Sequence, residues 1–412
     1  MPVSNERLAN DLAAIAAATE TPGQGATRPT FSDAWAKAVE HVAAAARACG
    51  CVVRTDAAGN VHLRPSVHDR ASSLWLSGSH LDTVPHGGDF DGVVGVLVPL
   101  EVLRAAHVDS RTAPPLELII FAEEEGTTFG LGMIGSRAWA GTLGADQLAQ
   151  LRNAVGQSYL EAGSRHGVRA VCLANERIDA THYCGYIEVH IEQGPSMWNR
   201  QEPVAVVTTI AGRRQYHVDV TGTANHAGST KMADRRDALA AAAEMIGAVE
   251  SLPAALASGA VATVGRIACR PNAVNVIAEH VSFTIDFRGA ADDILEQGDS
   301  AIRAQLTAIA QKRGVHAAIQ LTESIDATEL SPTACRRLRE AAGQLGHSLP
   351  ETVSGALHDA AILAPYVPTA MLFVASRDGI SHNPAEHSRI DDIALAAQIL
   401  YTAVSGGEGE VA

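Results

Sequence analysis

The stretch "SSLWLSGSHLDTVPHGGDFDGVVGVLVPLEVLRAA", residues 72–106, holds three pieces in one order. An apolar strand ends at His80, a turn follows with three aspartates and three glycines across its length to Gly92, and a long apolar helix then begins. Turns between elements are ordinarily rich in Gly and Asp. What sets this one apart is its position at the carboxyl end of a buried strand, where open parallel sheets gather their sites.

Working outward, the same pattern recurs. "PLELIIFAEEEG" is a second strand with Glu123, Glu124 and Glu125 at its carboxyl end. "GYIEVHIEQGP" carries His190 in a third apolar strand, with Glu188 and Glu192 on the same side by the two-residue period. "AMLFVAS" is a fourth, followed by "GISHNPAEHS" with His382. Helical segments lie between, including "SDAWAKAVEHVAAAARACG", and "CVVRTDAAGNVHLRPS" reads as a hairpin turning at Ala57–Gly59. Alternating strand and helix with short links predicts an α/β fold, a mostly parallel sheet flanked by helices.

From Gly212 the rhythm changes. "RQYHVDVTG", "DRRDALAAAAEMIGAVESL", "AVATVGRIA", "EHVSFTIDFRG", "DDILEQGDSAIRAQLTAIAQKRG" and "VHAAIQLTES" follow in the order βαββαβ, the ferredoxin-like split unit. The expected division is therefore residues 1–211 plus 324–412 for the first domain, with 212–323 as an inserted α+β domain. The last residues, "SGGEGEVA", read as a tail.

Composition narrows the functional classes. The chain has 412 residues and a formal net charge of −15, which argues against a nucleic-acid or anionic-membrane partner. Its six cysteines are scattered apart from the Cys49/Cys51 pair and do not form a disulfide framework. The amino-terminal segment has charges inside an amphipathic helix rather than a signal-peptide pattern, and no apolar run of about 18 residues is evident. A cytoplasmic location with reduced thiols is expected.

The strand ends supply imidazole and carboxylate, donors suited to zinc, manganese, cobalt or nickel. Adjacent carboxylates repel, and divalent cations relieve that repulsion. Two ions about 3.5–4 Å apart need one bridging carboxylate and terminal ligands. His80, Asp91, Glu125, His190 and His382 supply five such groups. Glu124, left unbound beside them, is placed to activate water. Asp82, two residues from His80, is expected to hold its imidazole by a hydrogen bond.

The motifs "GSHLDTVPHGGDFDG", "EEEG", "IEVHIEQGP", "NHAGSTKM", "NAVNVI", "DFR" and "GISHNP" together resemble the hydantoinase/carbamoylase-type amidases of the M20 metallopeptidase group. That group includes N-carbamoyl-L-amino acid hydrolases, β-ureidopropionases and allantoate amidohydrolases. The resemblance runs in one order from about Asn5 to Thr402. It implies that Asp91 bridges two divalent ions, with His80 and His190 completing one and Glu125 and His382 the other. It makes Glu124 the general base and Glu123 a bystander. It further implies that the inserted domain is a lid that dimerises, giving a homodimer.

Within that domain the resemblance assigns His226 to the scissile carbonyl, commonly across the subunit boundary, and Asn275 and Arg288 to the carboxylate of a small amino-acid-derived substrate. The chemistry of the side chains suits those roles, since Arg forks onto carboxylates and His can donate to an oxyanion. Gln193 is a further candidate for contact near the metals.

Three positions depart from the family pattern. Thr128 stands where an arginine is usual, Lys231 replaces a proline, and Leu357 replaces the second glycine of S-G-A-G-H-D-A. His358 and Asp359 keep their places, with support and substrate contact both open. The expected activity is hydrolysis of the linear amide of an N-carbamoyl amino acid or related ureido acid. An N-acyl amino acid amidohydrolase or dipeptidase with the same machinery is the alternative. A non-catalytic relative would have lost the base or a ligand, and none is missing.

Overall fold

A computed structural model describes residues 3–68, 73–109, 113–256 and 259–406. Most of the carboxyl-terminal tail, residues 407–412, lies outside them. The chain divides into two compact units. One runs to Thr208 and takes in Glu329–Thr352 and the chain from His358 onward, and the other comprises Thr209–Thr328 and Val353–Leu357.

Seven strands of the larger sheet lie in the order Cys51–Thr55, Val61–Pro65, Leu116–Phe121, Leu74–His80, Tyr183–Ile191, Thr369–Val374 and Val204–Ile210. The four central ones, from Leu116–Phe121 to Thr369–Val374, are mutually parallel. Their outer neighbours, Val61–Pro65 and Val204–Ile210, pair antiparallel. Three of the parallel strands are buried along their whole length and Tyr183–Ile191 at every residue but Cys184, so they read as apolar runs rather than as alternations. Helix Val93–Val108, itself almost wholly buried, packs on strands Leu74–His80 and Tyr183–Ile191 and against the helix Ile390–Ser405. Its one buried acid, Glu101, is held by Arg7 of the first helix and by the Ser4 N–H at 2.7 Å.

This arrangement determines where chemistry can occur. Four adjacent parallel strands place four carboxyl ends side by side, and each of the expected ligand-bearing segments follows or ends one of them.

The second unit is an antiparallel sheet in the order His316–Ile325, Gly212–Thr221, His280–Gly289, then Val261–Thr263, with Ile267–Arg270 also paired to His280–Gly289. The single expected strand at 260–268 is thus two short ones on the same partner. Along His280–Gly289 burial alternates strictly, with Val281, Phe283, Ile285 and Phe287 facing the core. Helices Ala238–Ala255 and Asp292–Arg313 cover that face.

By length and composition Ala238–Ala255 is apolar enough to cross a membrane, a property not evident from the sequence pattern. Its buried residues Ala238, Ala241, Ala242, Met245, Val249 and Leu252 form one stripe on the sheet, as in a core helix.

The division departs from the expected 212–323. The strand His316–Ile325 pairs as far as Arg213, which carries the unit past Ser324. Val353–Leu357 joins it through two bonds, from Ala211 N–H to the Ser354 carbonyl at 2.8 Å and from Arg288 to the Gly355 carbonyl at 2.7 Å. Leu357 therefore belongs to the second unit rather than to the first.

At the other end of the larger sheet, Glu117 and His62 are fully buried. Glu117 accepts from Arg64, from His62 Nδ1 at 2.6 Å and from the Tyr183 hydroxyl at 3.3 Å. Burial alone would raise its pKa. The hydrogen bond from His62 and the charges of His62, Arg64 and Arg54 outweigh it and hold the carboxyl at about 2 against an ordinary 4.5. A depressed carboxylate contributes stability above its unfolded pKa and loses it as pH falls toward the folded value. Glu117→Gln should therefore cost about 3–5 kcal/mol near neutrality and flatten the loss of stability between pH 4.5 and about 2. Chemical denaturation at a series of pH values measures both effects.

Candidate metal centre and catalytic site

Asp91 is the point on which the first unit's candidate residues converge. It follows strand Leu74–His80 by a turn and stands just before helix Val93–Val108, whose N-cap is Gly92. Its Oδ1 faces His190 Nε2 at 3.1 Å and His80 Nε2 at 3.7 Å. Its Oδ2 faces His382 Nε2 at 3.1 Å. Glu125 Oε2 lies 3.7 Å from that same nitrogen. Two donor sets result, His80–Asp91–His190 and Asp91–Glu125–His382, with all ligand atoms of each within 4.8 Å of one another.

The tautomers sharpen this picture. His80 Nδ1 lies 2.9 Å from the Asp82 carbonyl, and His190 Nδ1 lies 3.0 Å from the Ile191 carbonyl. A carbonyl can only accept, so both rings carry their proton on Nδ1 and present Nε2 toward a carboxylate oxygen. In a neutral imidazole that nitrogen is an acceptor facing an acceptor. Such a pair needs a proton or a cation between its members, and ligating histidines characteristically donate their other N–H to a carbonyl or carboxylate. The donor set fits divalent metal ions.

The electrostatics agree. Burial, with the nearby charges of Asp359, Glu125, Asp82 and Asp91, pushes Glu124 well above the usual carboxylate range. Burial and the charges of Asp91 and Asp82 do the same to Glu125. Asp91 goes the other way: burial would raise it, but bonds to His190 and His382 pull it well below normal. Burial lowers His80 to about 4, whereas for His190 the Asp91 bond overrides burial and lifts it to about 9. Buried acids that resist ionisation in each other's company make a site in which added positive charge is stabilising.

Glu124 occupies the expected flank, with its Oε2 3.8 Å from His80 Nε2. Gln193 donates from Nε2 to Asp91 Oδ2 at 2.8 Å, and its Oε1 is buried without a hydrogen-bond partner among the described residues. The imidazole of His80 is held by the backbone carbonyl of Asp82 and not by its carboxylate, whose Oδ1 is 3.8 Å away. The Asp82 carboxylate instead accepts the Glu125 N–H at 3.1 Å, which orients the next strand's ligand loop. Gly92 has φ +68°, and a Cβ there would lie 2.5 Å from the His80 ring. Glycine is needed at that position on both counts.

Glu123 has a structural task that the sequence did not suggest. Its Oε1 accepts the N–H groups of Thr128 and Phe129, both at 2.8 Å, and so closes the turn after the ligand loop. Thr128 accepts in turn from the Thr30 N–H at 3.2 Å. Glu192 accepts from the Met197 N–H rather than joining the site. Glu188 lies beneath it, taking the Ser79 hydroxyl and the Ala360 N–H at 2.9 Å each. With His190 and His358 it forms a third cluster of potential donors. His358 packs edge-on to His190 at 4.5 Å, and burial keeps it neutral, its pKa well below normal. Asp359 accepts the Ser136 hydroxyl. Both residues are buried beside the donor cluster.

Sequence reading also missed Glu386 and Ser381, which touch the turn that carries Asp91. A glutamate four residues after His382 in a polar loop has no sequence signal that marks it.

The remaining expected residues, His226, Asn275, Arg288 and Leu357, belong to the second unit. Asn225–Ala227 pairs with Asn275–Ile277, so His226 and Asn275 are carried on facing segments. His226 Nδ1 accepts from the N–H groups of Gly228 and Ser229, each at 3.1 Å. A neutral ring then carries its proton on Nε2 and is fixed as a donor there. Arg288 forks onto Asp286 at 2.8 and 3.3 Å and also donates to Gly355, so three of its N–H groups are engaged internally. Leu357 is half-buried and Lys231 exposed.

Residues 76–406 match the family described as Peptidase family M20/M25/M40. The chain belongs to that family, and it is a hydrolase acting on non-peptide C–N bonds. Among its relatives is an N-carbamoyl-L-amino acid amidohydrolase of Geobacillus stearothermophilus, 37% identical over 98% of both chains. An allantoate amidohydrolase of Bacillus subtilis is 32% identical over 91% of both. An amidase of the hydantoinase/carbamoylase family from Burkholderia multivorans superposes with a TM-score of 0.89, at 34% identity over 98% of this chain and 97% of that one.

Because the Asp82 carboxylate orients Glu125 while its carbonyl holds His80, Asp82→Ala separates the two effects. We expect a metal affinity about 10–100-fold lower, measured by titration of metal-stripped protein, with the binding step that involves Glu125 weakened most.

Proposed function

We propose that this chain is a dinuclear metal-dependent amidohydrolase that cleaves an N-carbamoyl amino acid or a related ureido acid. The observation that carries the reading is the Asp91 carboxylate, whose two oxygens face separate imidazole sets. The names of the relatives support the substrate class. His80, Asp91 and His190 would hold one ion, and Asp91, Glu125 and His382 the other. Zinc, manganese, cobalt and nickel all suit this donor set. Bound divalent ions supply Lewis acidity, which makes water nucleophilic at neutral pH and polarises a carbonyl.

The protein's own groups do the rest. Glu124 takes a proton from the attacking water as its oxygen bonds to the substrate carbonyl carbon. As the C–N bond breaks, Glu124 returns that proton to the leaving nitrogen. His226 donates from Nε2 to the developing oxyanion. Asn275 and the free donors of Arg288 receive the substrate carboxylate. With a carbamoyl substrate the products are the amino acid, ammonia and carbon dioxide. We propose further that the second unit dimerises two copies, a reading supported by exposed apolar side chains at Val261, Ile267 and Val274.

A second reading, hydrolysis of an N-acyl amino acid or dipeptide, draws on Leu357. Its side chain fills space that a glycine leaves open, on the segment to which Arg288 is bonded.

Metal-stripped protein reloaded with each ion should release ammonia from one of N-carbamoyl-L-amino acids, N-carbamoyl-β-alanine or allantoate. Ammonia from none, with free amino acid from an acyl compound, selects the second reading. Glu124→Gln should lower kcat by about 10²–10⁴-fold at unchanged metal content, and undiminished turnover would remove Glu124 as the base. Leu357→Gly should raise turnover of ureido compounds relative to acyl ones. Equal ratios in parent and variant would dismiss Leu357 as a selectivity residue.

A further inference from the structure

Asp91 and Ser381, the residue before His382, lie far apart in the chain and meet at one side chain that belongs to neither donor set. Glu386 is 5% exposed. Its Oε2 accepts the backbone N–H groups of Phe90 at 2.9 Å and Asp91 at 3.0 Å. Its Oε1 accepts the Ser381 hydroxyl at 2.8 Å, and the same Ser381 oxygen lies 3.3 Å from Asp91 Oδ2. We propose that Glu386 is the positioning residue of the two-ion site, fixing the Asp91 carboxylate and the His382 loop in one geometry; this rests on the two-ion reading above.

Three further observations bear on it. A carboxylate oxygen that takes two consecutive N–H groups sets the orientation of the peptide between them, and with it the direction in which the Asp91 side chain leaves the backbone. The approach is made possible by Gly88, where a Cβ would fall 2.1 Å from Glu386 Oε2 and 2.4 Å from its Cβ. Finally, His382 has φ +54°, a left-handed conformation that costs a non-glycine residue energy and persists only where surroundings enforce it. The loop after it is pinned at its far end by bonds from Arg377 N–H to the His387 carbonyl and from the Ser388 hydroxyl to the Ala375 carbonyl, each 2.8 Å. Glu386 pins the near end.

The effect should be unequal. The Asp91–Glu125–His382 set has two members attached to this clamp, whereas His80 and His190 sit in strands and share only Asp91 with it. A purely structural residue would instead loosen both sets, or the whole unit, alike.

The test is calorimetric titration of metal-stripped protein with manganese or zinc ion alone, with bound metal counted after dialysis. His382→Ala marks the binding step that belongs to the second set. Glu386→Ala should weaken that step about 10–100-fold and the other by much less. Glu386→Gln should restore most of the loss, because its amide oxygen can still accept both N–H groups while its NH₂ donates to Ser381.

Gly88→Ala, which displaces the carboxylate without touching an acid, should reproduce the alanine variant, and it stands in if Glu386→Ala does not fold. A glutamine variant as weak as alanine would mean that charge rather than positioning matters, and would overturn the proposal. So would a Gly88→Ala protein with parental affinity. Parent and Glu386→Ala protein binding two ions equally well would remove Glu386 alone. A parent that takes up fewer than two ions would remove the two-ion reading with it.

Discussion

Everything in the first unit serves one unfavourable act, the gathering of acceptors around Asp91. Three imidazole nitrogens and Glu125 are brought within a few ångströms of a buried carboxylate, and Glu124 stands beside His80, a set of acceptors that added positive charge stabilises. No flexible loop would hold such a set together. Four buried parallel strands do, because their hydrogen bonds and packing commit every strand end to the same edge before any ligand is considered. The apolar interior provides the rigidity that the polar centre lacks.

The second level of control is the backbone. Carbonyls of Asp82 and Ile191 choose which histidine nitrogen faces inward. Backbone N–H groups of Glu125, Phe90 and Asp91 are tied to the carboxylates of Asp82 and Glu386. Glu123, Gln193 and His382 all hold positive φ, each at a cost of about 1–3 kcal/mol for a non-glycine residue. Left-handed backbone also occurs at Phe31, Met133, Gln201 and Asn272, so at these three positions its significance lies in the ligand loops they shape.

Legibility followed the same hierarchy. The four strands and the βαββαβ insertion were readable because burial on both faces writes continuous apolar runs, and a half-buried sheet writes alternation. The donors at the strand ends were readable because His, Asp and Glu are conspicuous after such runs. Roles that run through the backbone were not. Asp82 was expected to act on His80 with its carboxylate and does so with its carbonyl, a distinction that side-chain identity cannot carry. Glu123 looked like a bystander among three glutamates because its neighbours Thr128 and Phe129 are reached only when the turn folds back. Glu386 contacts residues 295 and 296 positions away, a relation no local pattern records. The unit boundary moved for a similar reason, since Val353–Leu357 is claimed by hydrogen bonds from Ala211 and Arg288.

The order of the donors along the chain has a consequence for how the protein is made. His80, Asp91 and His190 are all synthesised within the first half of the sequence, on two strands that pair with each other and on the turn after the first of them. His382 arrives roughly two hundred residues later, about 10–40 s at ordinary ribosome speeds, after the entire second unit has emerged. The nascent chain thus owns one complete donor set while the other still lacks its last member. The two donor sets are therefore completed in a fixed order along the chain, the one that contains His382 last.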